Sequence, residues 1–365
     1  FLNFKKDEKL KTKLIINGNR NDQNELNFNE IIIEEKNNKI FLENLLLDNN
    51  NLIIKVDKID LEYIDTENKK NKFLILRNNK NNYKIVGSIF NANKLIDNLL
   101  KNKSDDNFKI LKNDISLSLN LDEAYIDKKN TIKNLSGKLN IKNNEITKAD
   151  ISGFFDQNGN LTFTINTRDN GEKITTFSSS EAKPIVDRYK FIKGFEEGYL
   201  NYYSTKKNDS SNSVLIIDNF KVQEIPVLAK LLSLASLQGI ADLLTGEGIR
   251  FTDFEMIFSS NKDIMMIKEL YAIGPSISLL VDGYIEYNKL ISLRGTLVPA
   301  TTINRTIASI PLIGDLLIGK KIGEGVFGVS FKIKGPPKNL KTAVNPIKTL
   351  TPRFITRTLE KIKKN

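Results

Sequence analysis

Along most of the chain, apolar and polar residues alternate with a period of two, the pattern of a strand with one face turned inward and one turned to water. Ile115, Leu117, Leu119 and Leu121 alternate with serine and asparagine, and Leu161, Phe163 and Ile165 alternate with threonine. Further on, Ile277, Leu279, Val281, Gly283 and Ile285 form a row, and Phe327, Val329, Phe331 and Ile333 form another between glycine, serine and lysine. Each row lines one face of a predicted sheet. Clusters such as Asn17-Gly18-Asn19, Asn49-Asn50-Asn51, Asn78-Asn79-Lys80-Asn81 and Gln157-Asn158-Gly159-Asn160 supply the turns. Short loops between strands predict an antiparallel meander. Strands of roughly 8 to 11 residues give roughly 18 to 22 of them, and at about 4.8 Å apiece a sheet roughly 80 to 100 Å across. A sheet that large curls or splits. Curling a sheet with one apolar face produces a trough, so the predicted fold class is mainly β. It is an elongated, twisted, curled antiparallel-rich sheet forming an apolar groove, with a few edge and terminal helices.

Strand parity identifies a face and leaves open whether that face is covered. A sandwich fills such rows with its own second sheet, whereas a groove leaves apolar surface for a ligand. Both readings stand at this point. The residues singled out as groove lining are Ile277, Leu279, Val281, Ile285, Phe327, Val329, Phe331 and Ile333.

Helical periodicity is confined to a few stretches. Residues 92–101 and 181–193 are short, the second with Pro184 in its first turn. The strongest is 226–244, where Leu228, Leu231, Leu232, Leu234, Leu237, Ile240, Leu243 and Leu244 cover a wide arc between Pro226 and Gly246. Lys230, Gln238 and Asp242 argue against a membrane span there, so the segment is expected to cover an end or edge of the sheet. Weaker patterns occupy 302–318 and 348–363. The latter is basic and carries Phe354, Ile355, Leu359 and Ile362, which fits a solvated tail or an interfacial helix on anionic lipid. Composition divides the chain near position 150, into an Asn- and Lys-rich segment 1–150 and a segment 151–365 richer in Gly, Pro, Ser and Thr.

With 40% hydrophobic and 27% charged residues, the chain of 365 residues has the composition of a folded protein. The net charge of +11 comes with an excess of Lys, Asn and Ile that looks like the codon bias of an AT-rich genome. The lysines are scattered and form no stripe with interleaved aromatics, so no nucleic-acid partner is expected. The absence of His and Cys excludes thiol nucleophiles, imidazole acid–base chemistry and the usual zinc sites. No catalytic residue, cofactor or metal is expected. The run Gly323-Glu324-Gly325-Val326-Phe327-Gly328 precedes a strand pattern instead of a helix, the wrong context for a dinucleotide loop. Asp105-Asp106 reads as a solvated loop, not as a carboxylate pair across a cleft. The chain opens Phe1-Leu2-Asn3-Phe4-Lys5-Lys6 without an apolar signal core, and reads as a fragment whose export signal or anchor precedes it.

A connected set of motifs then resembles the AsmA-like proteins of Gram-negative envelopes, specifically the C-terminal region of their large YhdP-type members. Phe220-Lys221-Val222, Ile225-Pro226-Val227-Leu228, Leu237-Gln238-Gly239-Ile240 and Gly246-Glu247-Gly248-Ile249-Arg250-Phe251 are similar to that family's strand, apolar helix and following GxGIxF strand. Arg294-Gly295-Thr296-Leu297-Val298-Pro299, Ile303-Asn304 and Ile310-Pro311-Leu312-Ile313-Gly314 follow, then the glycine run at 323–328, Gly335-Pro336, Val344-Asn345-Pro346 and Thr351-Pro352. The resemblance covers roughly 215 to 355 and extends back to about 84, where Val86-Gly87-Ser88-Ile89-Phe90 is similar to a recurring family unit. It implies a non-catalytic periplasmic protein held in the inner membrane by an N-terminal segment absent from this chain. It further implies a hydrophobic β-groove that bridges the periplasm and transports phospholipid between the inner and outer membrane surfaces. A structural envelope protein that tethers or organises the outer membrane without carrying lipid is the other reading the sequence supports.

Overall fold

The computed structural model describes residues 3–7, 9–100, 110–155, 159–189, 194–223, 225–299 and 328–347. The predicted helices at 302–318 and 348–363, and Phe327, lie outside the described residues. Among the described residues the fold is mainly β, with twenty strands in antiparallel-rich sheet and a few short helices. The chain divides into two compact units, Phe1–Ser178 and Ser179–Asn365.

In the first unit, β1 (Lys13–Arg20), β2 (Leu26–Glu35) and β3 (Asn38–Leu47) run as a meander, followed by the short β4 (Ile53–Lys55) and by β5 (Lys58–Ile64), β6 (Lys70–Asn79) and β7 (Asn82–Asn91). Helix α1 (Asn93–Leu100) follows, and β8 (Ile115–Tyr125) then pairs with β7 in parallel. Antiparallel pairing resumes through β9 (Thr131–Lys142), β10 (Glu145–Phe155) and β11 (Gly159–Thr167), and β12 (Lys173–Ser179) ends the unit. Asn24, Asn51, Asn68 and Asn143 in the turns and Asn44 within β3 adopt positive φ, which asparagine's short polar side chain tolerates better than most residues. Asn51 belongs to a predicted turn cluster, whereas the predicted turn at Asn17-Gly18-Asn19 lies inside β1, paired with β2 across a bulge.

In the second unit, helix α2 (Lys183–Tyr189) precedes β13 (Phe195–Lys207) and β14 (Ser210–Val222), and α3 (Pro226–Leu234) with α4 (Gln238–Thr245) precedes β15 (Ile249–Ser260). Then β16 (Ile264–Ile273), β17 (Ile277–Glu286), β18 (Leu290–Pro299), β19 (Gly328–Gly335) and β20 (Lys341–Ile347) continue antiparallel. The periodicity at 226–244 therefore resolves into two helices. Ser236 takes φ 60°, its N–H donates to the Ser233 carbonyl, and the Leu237 N–H donates to the Leu232 carbonyl at 2.9 Å. This is a Schellman termination, and it ends α3 one turn after its buried residues Leu228, Leu231 and Leu232. Among the described residues no helix is long and apolar enough to cross a membrane.

The outward face of the first unit is tied by charge. Lys13, Glu34, Lys39, Glu62 and Lys72 are successive cross-strand partners, so cation and anion alternate from β1 to β6. Hydrogen bonds from Lys70 and Lys72 hold the Glu62 carboxyl below the usual carboxylate range. Asp48 is lowered chiefly by the Leu52 N–H, and Glu197 by Arg250. Burial pushes Asp57 up, but Arg77 and Asn44 more than offset it.

Two predictions follow from these local features. Replacing Ser236→Gly relieves a left-handed L-residue and should raise stability by about 0.5 kcal/mol, the strain relief exceeding the entropy that glycine adds to the unfolded chain; a lowered melting temperature contradicts it. For the four carboxyls, a folded pKa below the unfolded one means stability that is fully present above the unfolded value and lost as pH falls through the folded one. The thermal midpoint should hold steady above about pH 5 and decline below about pH 4, and a midpoint unchanged down to about pH 2 contradicts the assignment.

Candidate functional site

Register turns the alternation of single strands into a continuous surface. In the first unit Ile16, Ile31, Leu42, Ile59, Ile75, Ile85, Leu119, Gly137, Ile151 and Phe163 are direct partners in sequence from β1 to β11. Nine steps of about 4.8 Å make this row about 40 Å along the sheet. From Ile31 to Phe163 every member is half-buried, not buried. A strand residue under a second layer is withdrawn from water, so a whole row at intermediate exposure marks a face that, among the described residues, has no covering layer along its middle.

The two ends of this face are closed by the chain itself. At one end the neighbouring row, Ile40, Leu61, Phe73 and Leu121, is buried with Tyr63, and Phe4 packs against it, edge-on to Tyr63 at 5.8 Å. The N-terminal segment lies along this end: the Asn3 carbonyl accepts from the Thr66 N–H, while Glu35 accepts from Thr12 Oγ1 at 2.9 Å and from the Asp7 N–H at 3.3 Å. Beside it Asp65 takes hydrogen bonds from Asn71 Nδ2 and Asn91 Nδ2 and from the backbone of Glu67 and Lys69, a satisfied polar plug. At the other end Leu45, Val56 and Tyr83 are buried. There Leu111 forms a bridge with Ile53, the Ile53 N–H donates to the Ile110 carbonyl at 2.7 Å, and Lys112 pairs with Asp48 at 3.2 Å.

The second unit carries the rows read from sequence. Leu279 pairs with Leu297 and Leu297 with Val329; Val281 with Gly295 and Gly295 with Phe331; Gly283 with Leu293 and Leu293 with Ile333. Ile277 and Ile285 share their face, at Pro299 and Ile291. Seven of the eight singled-out residues thus stand on one face, and Phe327 lies outside the described residues. Burial divides them. Ile277, Val281, Val329, Phe331 and Ile333 are sealed, whereas Leu279 and Ile285 are half-buried. The Phe331 ring crosses Gly295, where an added Cβ would stand 2.6 Å from its Cζ, so this pairing requires glycine. At the helix end α3 packs against β20, and Leu232, Leu244, Ile249 and Val222 are fully buried. Phe220 stacks on Phe195 at 5.2 Å and on Phe251 at 5.5 Å.

Sequence reading of the first unit found Leu119 and Phe163 but missed Ile31, Leu42, Ile59, Ile75, Ile85 and Ile151. In β2 and β3 apolar residues stand on both faces, Ile32 and Phe41 opposite Ile31 and Leu42, so the alternation is masked, whereas Ile59 and Ile151 sit in clean alternations, with Asp60 and Glu62 and with Asp150 and Ser152, that were there to be found. Among the described residues no group of three acidic side chains is placed to hold a metal ion. Family models, curated proteins and solved structures gave no match to this chain.

The division by burial gives a prediction. Phe331→Ala should cost about 3 kcal/mol through the void left beside Gly295, whereas Leu279→Ala should cost about 1 kcal/mol because that side chain keeps contact with water. Equal losses in chemical denaturation would contradict the partition of this face into sealed and accessible parts.

Proposed function

We propose that the protein is a non-catalytic lipid carrier whose uncovered apolar faces hold the acyl chains of phospholipid and let them pass along the sheet, across the strands. The single observation that carries this reading is the half-buried row from Ile31 to Phe163, continuous over β2 to β11. Such a track binds hydrocarbon without regard to register along it, because every position offers the same apolar contact. Each methylene withdrawn from water contributes about 0.8 kcal/mol, so an acyl chain lying over several strands is held by many small contacts and can move by exchanging them a few at a time. The headgroup stays at the rim in water.

The motif order from Phe220 to Pro352 supports the same reading through its resemblance to the AsmA-like family. On that basis the proposed setting is the periplasm, with inner and outer membrane surfaces as partners and attachment by a segment outside this chain. The closed ends of the first unit favour a second reading, a tether whose apolar face is a dry structural core, because the chain spends its own residues on sealing both ends.

Lipid extraction separates the two. Protein purified without detergent and extracted for mass spectrometry should yield phospholipid, and should take up a fluorescent phospholipid added from vesicles. Ile75→Asp and Leu119→Asp, placed at mid-row, should lower uptake about tenfold with the sheet intact by circular dichroism. Absence of lipid in the extract together with no uptake overturns the carrier and leaves the tether; variants that unfold show that the row is a closed core.

A further inference from the structure

The inward face of the second unit carries a short accessible row of its own. Tyr202, Leu215, Met256 and Leu270 are direct partners from β13 to β16, and all four are half-buried. The rows on either side are withdrawn from water, with Leu200, Ile217 and Ala272 on one and Ser204, Ser213, Phe258 and Ile267 on the other; Phe254 is the half-buried exception. What remains is a slot one row wide. It is closed at one end, because the row continues into the buried Val281 and, past Gly295, into the buried Phe331, whose ring crosses that glycine. Four strand steps of about 4.8 Å, from Tyr202 to Val281, make the slot about 19 Å long.

The other end is lined with hydroxyls. Ser213 Oγ donates to Ser204 Oγ at 2.9 Å, so its proton is committed, and the Tyr202 hydroxyl stands 3.2 Å from Ser213 Oγ, longer than a normal O–H···O bond. The Tyr202 proton is therefore weakly held and passes readily to a better acceptor. Two residues further along each strand, Lys206, Ser211 and Ser260 are direct partners, with Ser211 Oγ 2.9 Å from Ser260 Oγ and Lys206 exposed. From slot to rim the face thus changes from hydrocarbon to neutral hydroxyl to cation. On the carrier reading, which this refines and on which it rests, we infer that the second unit holds one glycerophospholipid. A single acyl chain lies in the slot with its methyl end toward Phe331, its ester carbonyl accepts from the Tyr202 hydroxyl, and its phosphate sits beside Lys206. The neutral hydroxyls select an ester over a free carboxylate, which at the depth of Tyr202 would have no counterion. The closed end makes the slot a measure of chain length.

Lysophosphatidylcholines of increasing chain length, kept below their micellar concentrations, are titrated into the native protein by calorimetry. Affinity should rise by up to about fourfold per methylene and then level once the chain reaches Val281. Tyr202→Phe, which removes the hydroxyl and keeps the ring, should weaken binding about fivefold at every length, and Lys206→Glu should weaken it as well. Leu270→Trp fills part of the slot from a half-buried position and should bring the levelling to a shorter chain, with the circular dichroism unchanged. The native chain contains no Trp, so emission from the introduced indole also reports the arriving lipid. Affinity that climbs through the whole series, or a curve that neither Tyr202→Phe nor Leu270→Trp moves, overturns the site, while uptake of phospholipid by the native protein keeps the carrier. Absence of binding at every length overturns the site too, and the extraction and uptake measurements then decide the carrier separately.

Discussion

Cross-strand register is the constraint on which the rest of the structure depends. Side chains alternate with a period of two, so a slip of one residue in any strand would turn its apolar set outward and break each row that passes through it. Here the bulges fall where they leave the rows intact. Across the left-handed Asn44, with φ 51°, β3 keeps its register on β2 unbroken, giving Leu42 to Ile31 and Leu45 to Phe28. The shift between Ile267 and Leu270 in β16 likewise lets both meet the row of Gly283 and Val281. The same register places opposite charges beside one another on the outward surface, so a single alignment of strands satisfies both faces at once.

From this follows a distinction between continuity and burial. A row that runs unbroken over ten strands needs only correct pairing, but whether it is wet depends on what lies above it. In the first unit the covering is done by two segments outside the regular strands, residues 3–12 and 110–113, and each acts on one end only. In the second unit α3 and α4 do the same at their end, through Leu228, Leu232 and Leu244. Among the described residues no such segment lies over the middle of the first face. An extended apolar strip of this kind is unusual for a protein with no ligand.

Much of this was legible in the sequence, for stated reasons. The meander follows from asparagine-rich turns between alternating runs, and the face shared by Leu279, Leu297 and Val329 follows from parity once register is fixed. The break at Ser236 was not legible, because a serine in the left-handed region carries no signal that distinguishes it from a serine within a helix. Nor was the sealing of Ile277 and Phe331, since parity is blind to depth. In β2 and β3 the central row of the first unit was hidden by its own neighbours: β2, reading Glu30-Ile31-Ile32-Ile33-Glu34, is apolar on both sides. The parallel step from β7 to β8 gave no periodic mark at all, because it depends on where the chain returns after α1.

That return has a mechanical consequence. Because Leu111 is fastened to Ile53 while β8 begins only a few residues later beside β7, the hairpin of β6 and β7 is enclosed between two anchored stretches of chain. It cannot peel from the sheet until the Ile53–Leu111 clasp lets go. Under tension, or in the slow breathing that exposes amides to exchange, this region should yield as a block and late.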